Sequence, residues 1–198
     1  MSKAERTRQF IIEQTAPVFN KQGYAGTSLN DLTAATGLTK GAIYGNFENK
    51  EEVALAAFDY NLGLVQEGMR TGMLSGGTVR EKLLAMPRFY RQHYPLLQQT
   101  GGCPILNAAV ECDDAPPTAL LQRVQDSLAK WHRNLVRLIE KGQQTGEIKP
   151  AADASRYANL FIALTEGGIL VSKATGSSAA LFASLEHIEH LIETELAL

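Results

Sequence analysis

The side chains best suited to contact an anionic partner lie between Thr39 and Tyr44. Thr39 and Lys40 stand at the expected start of a short helix, where backbone N–H groups and the helix dipole favour a phosphate group. Gly41 is small enough for the backbone to approach a groove, and Tyr44 could donate to a phosphate or pack on a thymine methyl group. This pattern favours contact with nucleic acid, with an ordinary polar surface helix as the alternative.

Cys103 is the side chain best placed for thiol chemistry. It follows Gly101-Gly102 and precedes Pro104, which predicts a position at a helix N-terminus. Such a position favours the thiolate, so an electrophile or an oxidant could modify Cys103, with Lys173 a conceivable partner by spacing. The alternative is that Cys103 serves as a small buried hydrophobic residue.

Metal-binding and catalytic patterns have little support in the sequence. His187 and His190 share a helix face, but the neighbouring Glu186 and Glu189 favour a solvated surface over a metal site. The sequence carries none of the short motifs of serine hydrolases, zinc hydrolases, P-loop proteins or dinucleotide-binding enzymes. We therefore expect no catalytic residue, no metal and no cofactor, since an enzyme would need converging titratable groups.

Most of the chain shows apolar residues at helical spacing. At 44% hydrophobic and 20% charged residues, the composition is that of a packed globular protein, and no apolar run reaches membrane-spanning length. The small number of cysteines and an N-terminus unlike a secretory signal predict a cytoplasmic protein. One continuous apolar stripe consists of Leu121, Val124, Leu128, Trp131, Leu135 and Leu138.

Capping and breaker signals predict an all-α fold of about nine helices. We expect capping boxes at Asn49–Glu52 and Thr78–Glu81, left-handed glycine caps at Gly23 and Gly37, and a helix end at Pro95. The predicted helices cover residues 3–21, 28–35, 39–45, 49–74, 78–93, 104–112, 117–142, 152–171 and 178–197, with loops at 113–117 and 142–150.

Residues 27–47 have the spacing of a helix-turn-helix. Thr27 or Ser28 would cap the first helix, Gly37 permits the turn, and Thr39 caps the second helix. Residues 1–50 carry a net positive charge while the rest of the chain is net negative, which suits an anionic partner at this end. The small core would consist of Leu29, Leu32, Leu38, Ile43 and Phe47.

The N-terminal residues resemble the DNA-binding domain of TetR-family transcriptional regulators. The resemblance implies a DNA-binding domain over residues 1–50 and a helical-bundle domain for effector binding and dimerisation over residues 51–198. It further implies a homodimer that binds a palindromic operator. Our hypothesis for the mechanism is that the dimer acts as a repressor and is released by a small effector or a thiol adduct, with activation as the alternative. The matching residues are Ala16, Phe19, Gly23-Tyr24, Gly26-Thr27-Ser28, Leu32-Thr33, Ala35, Gly37-Leu38-Thr39-Lys40-Gly41, Ile43-Tyr44, Phe47 and Lys50-Glu51.

The same resemblance implies roles for individual residues. Lys40, Gly41 and Ala42 would lie near base edges, and Arg6 and Arg8, near the start of the first helix, could add phosphate contacts. Gly45-Asn46 departs from the family, which often has an aromatic residue and a histidine there. The residues expected to contact phosphates are Thr27, Ser28, Thr39, Tyr44, Asn46 and Lys50.

A ligand pocket is expected between the long C-terminal helices. Asn107 and Thr165 are the more informative candidates, because a polar group on an apolar helix face needs a partner. Trp131 and Phe161 could equally be plain core residues. The candidate lining residues are Phe89, Tyr90, His93, Cys103, Leu106, Asn107, Trp131, Leu135, Phe161 and Thr165.

A homodimer interface is expected on the last two helices, with an intramolecular core as the alternative. Gly167-Gly168 would let another helix, or a ligand, approach the backbone. A helical adaptor that binds only protein is the alternative to a DNA-binding regulator. The candidate interface residues are Leu160, Leu164, Leu181, Leu185, Ile188 and Ile192.

Overall fold

The chain is all-α over the described residues, as the sequence predicts. The computed structural model describes residues 2–112 and 118–198, and the loop predicted at 113–117 lies outside them. Within those ranges, the extended structure is one isolated antiparallel bridge between Ile148 and Ala197. The helices are α1 (Lys3–Gln22), α2 (Leu29–Thr36), α3 (Lys40–Tyr44), α4 (Lys50–Ser75), α5 (Val79–Gln99), α6 (Pro104–Glu111), α7 (Ala119–Thr145), α8 (Ala154–Thr175) and α9 (Ala179–Leu191), followed by a π-helical turn at Ile192–Leu196.

Side-chain caps begin several helices where the sequence predicts them. The Ser28 hydroxyl accepts a hydrogen bond from the Asp31 N–H at 3.3 Å, and the Ser28 N–H donates to the Asp31 carboxylate at 2.7 Å. Hydrogen bonds from the Ser28 hydroxyl and N–H hold the pKa of Asp31 below its usual value. Thr78 and Glu81 form the equivalent box at α5, and Gly37 ends α2 with a left-handed φ of 67°.

Three local expectations need correction. Gly23 has a φ of 86° but an extended ψ of 162°, so it ends α1 without the left-handed helical conformation. Helix α5 continues through Pro95, which is exposed, so water can hydrogen-bond the carbonyl that lacks an N–H partner. Gly142 lies inside α7, which continues to Thr145, and not in a loop. Ile148 packs closely against it, since a Cβ on Gly142 would lie 2.3 Å from Ile148 Cγ1.

The chain forms two compact units that interleave along the sequence. The first contains Met1–Val65 and Gln99–Val124, and the second contains Gln66–Gln98 and Gln125–Leu198. The first packing unit therefore extends beyond residue 50, the predicted end of the DNA-binding domain, and includes α6. Across the described ranges, no helix is both long enough and apolar enough to cross a membrane.

The first unit packs α1, α2, α3 and α6 around one apolar core. The Asn61 side chain donates to the Ala16 carbonyl at 2.8 Å, which satisfies a buried amide on α4. This packing fixes α2 and α3 as a helix-turn-helix. Its fully buried side chains include Ile11, Phe19, Leu32, Ile43 and Phe58.

The second unit has its closest helix contact between α8 and α9. A Cβ on Gly168 would lie 2.9 Å from the Leu181 Cα, so the glycine lets the two backbones approach. It is therefore a helix, and not a ligand, that approaches this glycine. The ion pairs Arg80–Glu193 and Arg91–Glu189 connect α5 to the C-terminal helical segment.

Candidate DNA-binding surface

The outward face of α3 is polar, while its inward face is part of the core. Ile43 is fully buried, whereas Thr39, Lys40 and Gly41 are exposed. The Thr39 hydroxyl accepts from the Ala42 N–H at 3.2 Å and so caps the helix. A Cβ on Gly41 would meet no atom within 4 Å, so the backbone is open to an approaching partner.

The Lys40 ammonium and the Tyr44 ring lie on the same side of α3. Lys40 Nζ is 5.9 Å from the centroid of the Tyr44 ring, and Tyr44 is half-buried. Among residues 2–112 and 118–198, no carboxylate forms an ion pair with Lys40. The charge of Lys40 therefore remains available to an anion.

Several of the predicted phosphate contacts are engaged within the chain but reach the surface. Ser28 is exposed while its hydroxyl binds Asp31 at 2.6 Å. Lys50 Nζ donates to the Ala25 carbonyl at 3.1 Å, and the Asn46 amide donates to the Ala42 carbonyl at 2.9 Å. Arg6 is exposed on the first turns of α1.

Thr27 does not have the position that the sequence predicts. Its relative exposure is 0%, and its hydroxyl donates to the Gly23 carbonyl at 2.6 Å. A phosphate cannot reach a side chain without exposed surface, so Thr27 closes the turn between α1 and α2 instead. Because Thr27 and Ser28 are adjacent and both carry a hydroxyl, the sequence does not indicate which of the two faces solvent.

Arg8 is partly exposed, with 39% of its side-chain surface accessible, but its guanidinium is engaged within the first unit. Its guanidinium pairs with Glu52 at 2.6 Å, donates to the Asn46 carbonyl, and lies 3.9 Å from the centroid of the Phe47 ring. Sequence reasoning missed Glu52, because it lies 44 positions from Arg8 and only the fold brings the two together.

A second missed set of contacts attaches α6 to α1 and to the turn after it. The Asn107 amide donates to the carbonyl and the side-chain oxygen of Asn20, both at 3.0 Å, and to the Gly101 carbonyl at 2.9 Å. The Glu111 carboxylate accepts from the N–H of Tyr24 at 2.7 Å and from that of Ala25. Asn107 is therefore a structural residue of the first unit and not a pocket residue waiting for a ligand.

Burial raises the pKa of Tyr24, with the Glu111 charge adding to the effect, and the tyrosine hydroxyl has no hydrogen-bond partner in the described residues. The ring of Tyr24 stacks on Phe19 at 5.6 Å between centroids. Tyr24 is thus a core residue of this unit.

Two predicted effector residues line a surface cleft between the end of α4 and α5. Phe89 packs against Gly68, where a Cβ would lie 2.3 Å from the ring, and the His93 ring stacks on Phe89 at 4.6 Å. The cleft has a volume of about 570 Å³, within the usual range for ligand sites. It is lined by Gly68, Thr71, Gly72, Ser75, Gly76, Glu81, Ala85, Arg88, Phe89, Gln92 and His93.

The other effector candidates of the second unit lie elsewhere. Tyr90 and Phe161 are core residues, and the Thr165 hydroxyl donates to the Phe161 carbonyl at 2.8 Å with no exposed surface. Thr165 is therefore corrected from a pocket clue to a helical residue satisfied by its own backbone. Trp131 is half-buried on α7, while Leu135 is buried.

Cys103 is the N-cap residue of α6 and is 4% exposed. Its burial agrees with the interpretation as a small hydrophobic residue, and its reactivity stays a prediction. Leu106 is half-buried on the same helix, and Lys173 is exposed on α8 in the other compact unit.

Four of the predicted interface residues are buried within one chain. Leu181, Leu185, Ile188 and Ile192 each have 0% exposure. They form the intramolecular core, because the regular stripe of α9 packs on α8, and this corrects the expectation that they contact a second copy.

The predicted interface residues on α8 remain accessible. Leu160 and Leu164 are half-buried, and further along the helix Leu170 and Val171 are 48% and 47% exposed. His187 and His190 are exposed on α9, and within the described ranges no group of three metal-ligating side chains occurs.

Comparisons with known proteins match both parts of the chain. Residues 11–57 match the family model described as bacterial regulatory proteins, tetR family, and residues 79–188 match the tetracyclin repressor-like C-terminal domain. The crystal structure of a TetR-family transcriptional regulator from Cytophaga hutchinsonii is 47% identical, with a TM-score of 0.93 over 100% of this chain and 98% of that one.

Two further relatives are also transcriptional regulators. A TetR transcriptional regulator from Chloroflexus aurantiacus is 37% identical in its crystal structure, with a TM-score of 0.93 and full coverage of both chains. The HTH-type transcriptional repressor DhaR of Mycobacterium sp. (strain GP1) is 27% identical over 172 residues, which is 84% of this chain and 82% of that protein.

Proposed function

The chain belongs to the TetR family and is a DNA-binding transcriptional regulator; from this premise we propose that it is a homodimeric repressor of a palindromic operator, released by a small effector. Members of this family are transcriptional regulators and not enzymes. DhaR, the relative named above, is itself a repressor, which favours repression over activation.

The observation that carries this proposal is the outward face of α3. Lys40 forms no ion pair with any described residue, Gly41 leaves the backbone open, and Tyr44 adds a hydroxyl at the end of the same helix. These are the groups that phosphate contacts and major-groove contacts require. Binding to protein alone does not require an exposed cation and an open backbone on the second helix of a helix-turn-helix.

A DNA-binding titration tests the proposal directly. The probe is a palindromic duplex from the upstream region of the gene itself, with a scrambled duplex of equal length as control. We expect Lys40→Ala and Tyr44→Ala each to weaken binding by about 1–3 kcal/mol. Lys141→Ala removes the same charge from an exposed position on α7 and serves as the matched control. An adaptor would leave every duplex unshifted.

The exposed side of α8 supports the homodimer. Leu170 and Val171 place large apolar surface in solvent, and Leu160 and Leu164 continue that surface toward the start of the helix. A second copy of the same surface would cover it in a two-fold arrangement, which also matches a palindromic operator. The partner-facing residues are thus those of α8 and not the buried stripe of α9.

The cleft between α4 and α5 supports the effector site. Phe89 and His93 supply an aromatic wall, while Arg88 and Gln92 supply polar groups along the same helix. An effector can release DNA only if it binds one conformation of the dimer more tightly than the other. A small molecule that does so should raise the melting temperature of the wild type and weaken its operator complex, and Phe89→Ala should abolish both effects.

Release by a thiol adduct is the second route, and the 4% exposure of Cys103 favours the ligand route over it. Alkylation of the folded protein at neutral pH, followed by mass mapping, tests the thiol route. If Cys103 stays unmodified and Cys103→Ser keeps full responsiveness, only the ligand route remains.

A further inference from the structure

Arg8 lies at the junction of three helices. From α1, its guanidinium reaches the Asn46 carbonyl just after α3 and the Glu52 carboxylate in the first turn of α4. The same group lies 3.9 Å from the centroid of the Phe47 ring, a residue with only 2% exposure. The Arg8 side chain thereby contacts both the residues that follow α3 and the first turn of α4.

The segment that Arg8 contacts needs an external support. Helix α3 has five residues, too few to be stable without tertiary packing. The Asn46 carbonyl lies beyond its last turn, where backbone oxygens lack partners inside the helix. Arg8 supplies that partner from α1.

Glu52 holds the segment between α3 and α4 at the end that leads into α4. Its second carboxylate oxygen accepts from the Glu48 N–H at 2.7 Å, while the Asn49 side chain accepts from the Glu52 N–H at 2.9 Å. The Glu48 N–H and the Arg8 guanidinium hold the pKa of Glu52 below its usual value, so the carboxylate is ionised at neutral pH. The charge of Arg8 is therefore paired with a carboxylate of the same chain.

We propose that Arg8 is a positioning residue that fixes the C-terminal end of α3 through Asn46 and Glu52, and not a phosphate contact. This inference rests on the proposed DNA binding, because the orientation of α3 is what the operator would sense. In this proposal the acidic residue Glu52 favours DNA binding, although DNA is itself negatively charged.

The two roles of Arg8 predict opposite results. If Arg8 contacted phosphate, Arg8→Lys would keep the charge and much of the affinity, and removing the competing Glu52 charge would tighten binding. If Arg8 positions α3, a lysine cannot replace it, because a single ammonium lacks the planar pair of donors that reaches the Asn46 carbonyl and the Glu52 carboxylate together. Arg8→Lys and Glu52→Ala should then each raise the Kd for DNA about tenfold.

Glu51→Ala is the matched control for Glu52→Ala. Glu51 is exposed in the same first turn of α4, and its carboxylate forms no ion pair with any described residue. Both variants remove one negative charge and introduce the same residue. Glu51→Ala should leave the Kd unchanged or lower it, because it only reduces repulsion of phosphate.

The measurement is fluorescence anisotropy with the palindromic duplex, with the active fraction of each variant found by stoichiometric titration. The double variant Arg8→Lys/Glu52→Ala should bind no more weakly than the weaker single variant, since the two residues act through one contact. A purely structural defect would lower the active fraction and the melting temperature and leave the Kd of the active protein unchanged, which would overturn the proposal. Tighter binding by Glu52→Ala would also overturn it.

Hydrogen exchange of residues 40–49 tests the positioning role without DNA. Arg8→Lys and Glu52→Ala should speed exchange there, while Glu51→Ala should not. If the wild type bound no duplex but the two variants still exchanged faster, the proposed function would fail and the positioning role would stand. Unchanged exchange in both variants would refute the positioning role on its own.

Discussion

The exposed faces of α3 and α8 meet solvent with opposite chemistry. On α3, Ile43 is buried on one face, while Lys40 and Gly41 present a cation and bare backbone on the exposed face. On α8, Leu170 and Val171 are nearly half exposed beside the buried Ile169. A polar face is suited to a hydrated polyanion, and an apolar face is suited to another protein surface. The contrast is what the proposed function requires, in which α3 contacts DNA and α8 contacts a second copy of the chain.

The largest effect is expected from a charge on the α8 face. Val171→Glu would bury an unpaired carboxylate in the proposed dimer, so we expect the dimer to weaken by about 3 kcal/mol, roughly a hundredfold in Kd. Sedimentation velocity at several concentrations measures this. Ala129→Glu, on an exposed position of α7, is the control and should stay dimeric. An unchanged dimer in Val171→Glu would move the interface elsewhere and remove the contrast.

An intermediate effect is expected on the opposite side of α8. Gly168→Ala places a Cβ 2.9 Å from the Leu181 Cα and should lower the free energy of unfolding by about 1–3 kcal/mol. Gly167→Ala meets nothing within 4 Å and should raise it by about 0.5–1 kcal/mol, because alanine favours the helix. Urea unfolding of both variants measures the difference. Equal values would mean that α8 and α9 are less closely packed than described.

The smallest effect concerns the cap of α2, next to the α3 face. The pKa of Asp31 is lowered in the folded chain by its hydrogen bonds with Ser28. Its contribution to stability is therefore present above the usual carboxyl pKa and is lost as pH falls through the lowered value. We expect Asp31→Asn to flatten the dependence of unfolding free energy on acidic pH, measured by urea titrations at a series of pH values. A slope identical to that of the wild type would contradict the cap.

Local signals in the sequence predicted the helix-turn-helix of α2 and α3 accurately. The box of Ser28 and Asp31, the left-handed Gly37 and the cap at Thr39 are all confirmed, because each depends on residues within four positions of one another. The order of the helices was predictable for the same reason.

Long-range packing was not accessible from the pattern. A stripe such as Leu181 and Leu185 shows that a helix is covered, but not whether the cover is the same chain or a second copy. The partner of Arg8 and the burial of Thr27 depend likewise on contacts that only the folded chain defines.

Trp131 gives the second unit an optical signal of its own. It is the single tryptophan of the chain and is half-buried on α7, in the part of that helix assigned to the second unit. The wavelength of its emission will therefore shift when the polarity around α7 changes. Unlabelled protein in a fluorimeter thus reports a change around α7 directly, without any attached dye.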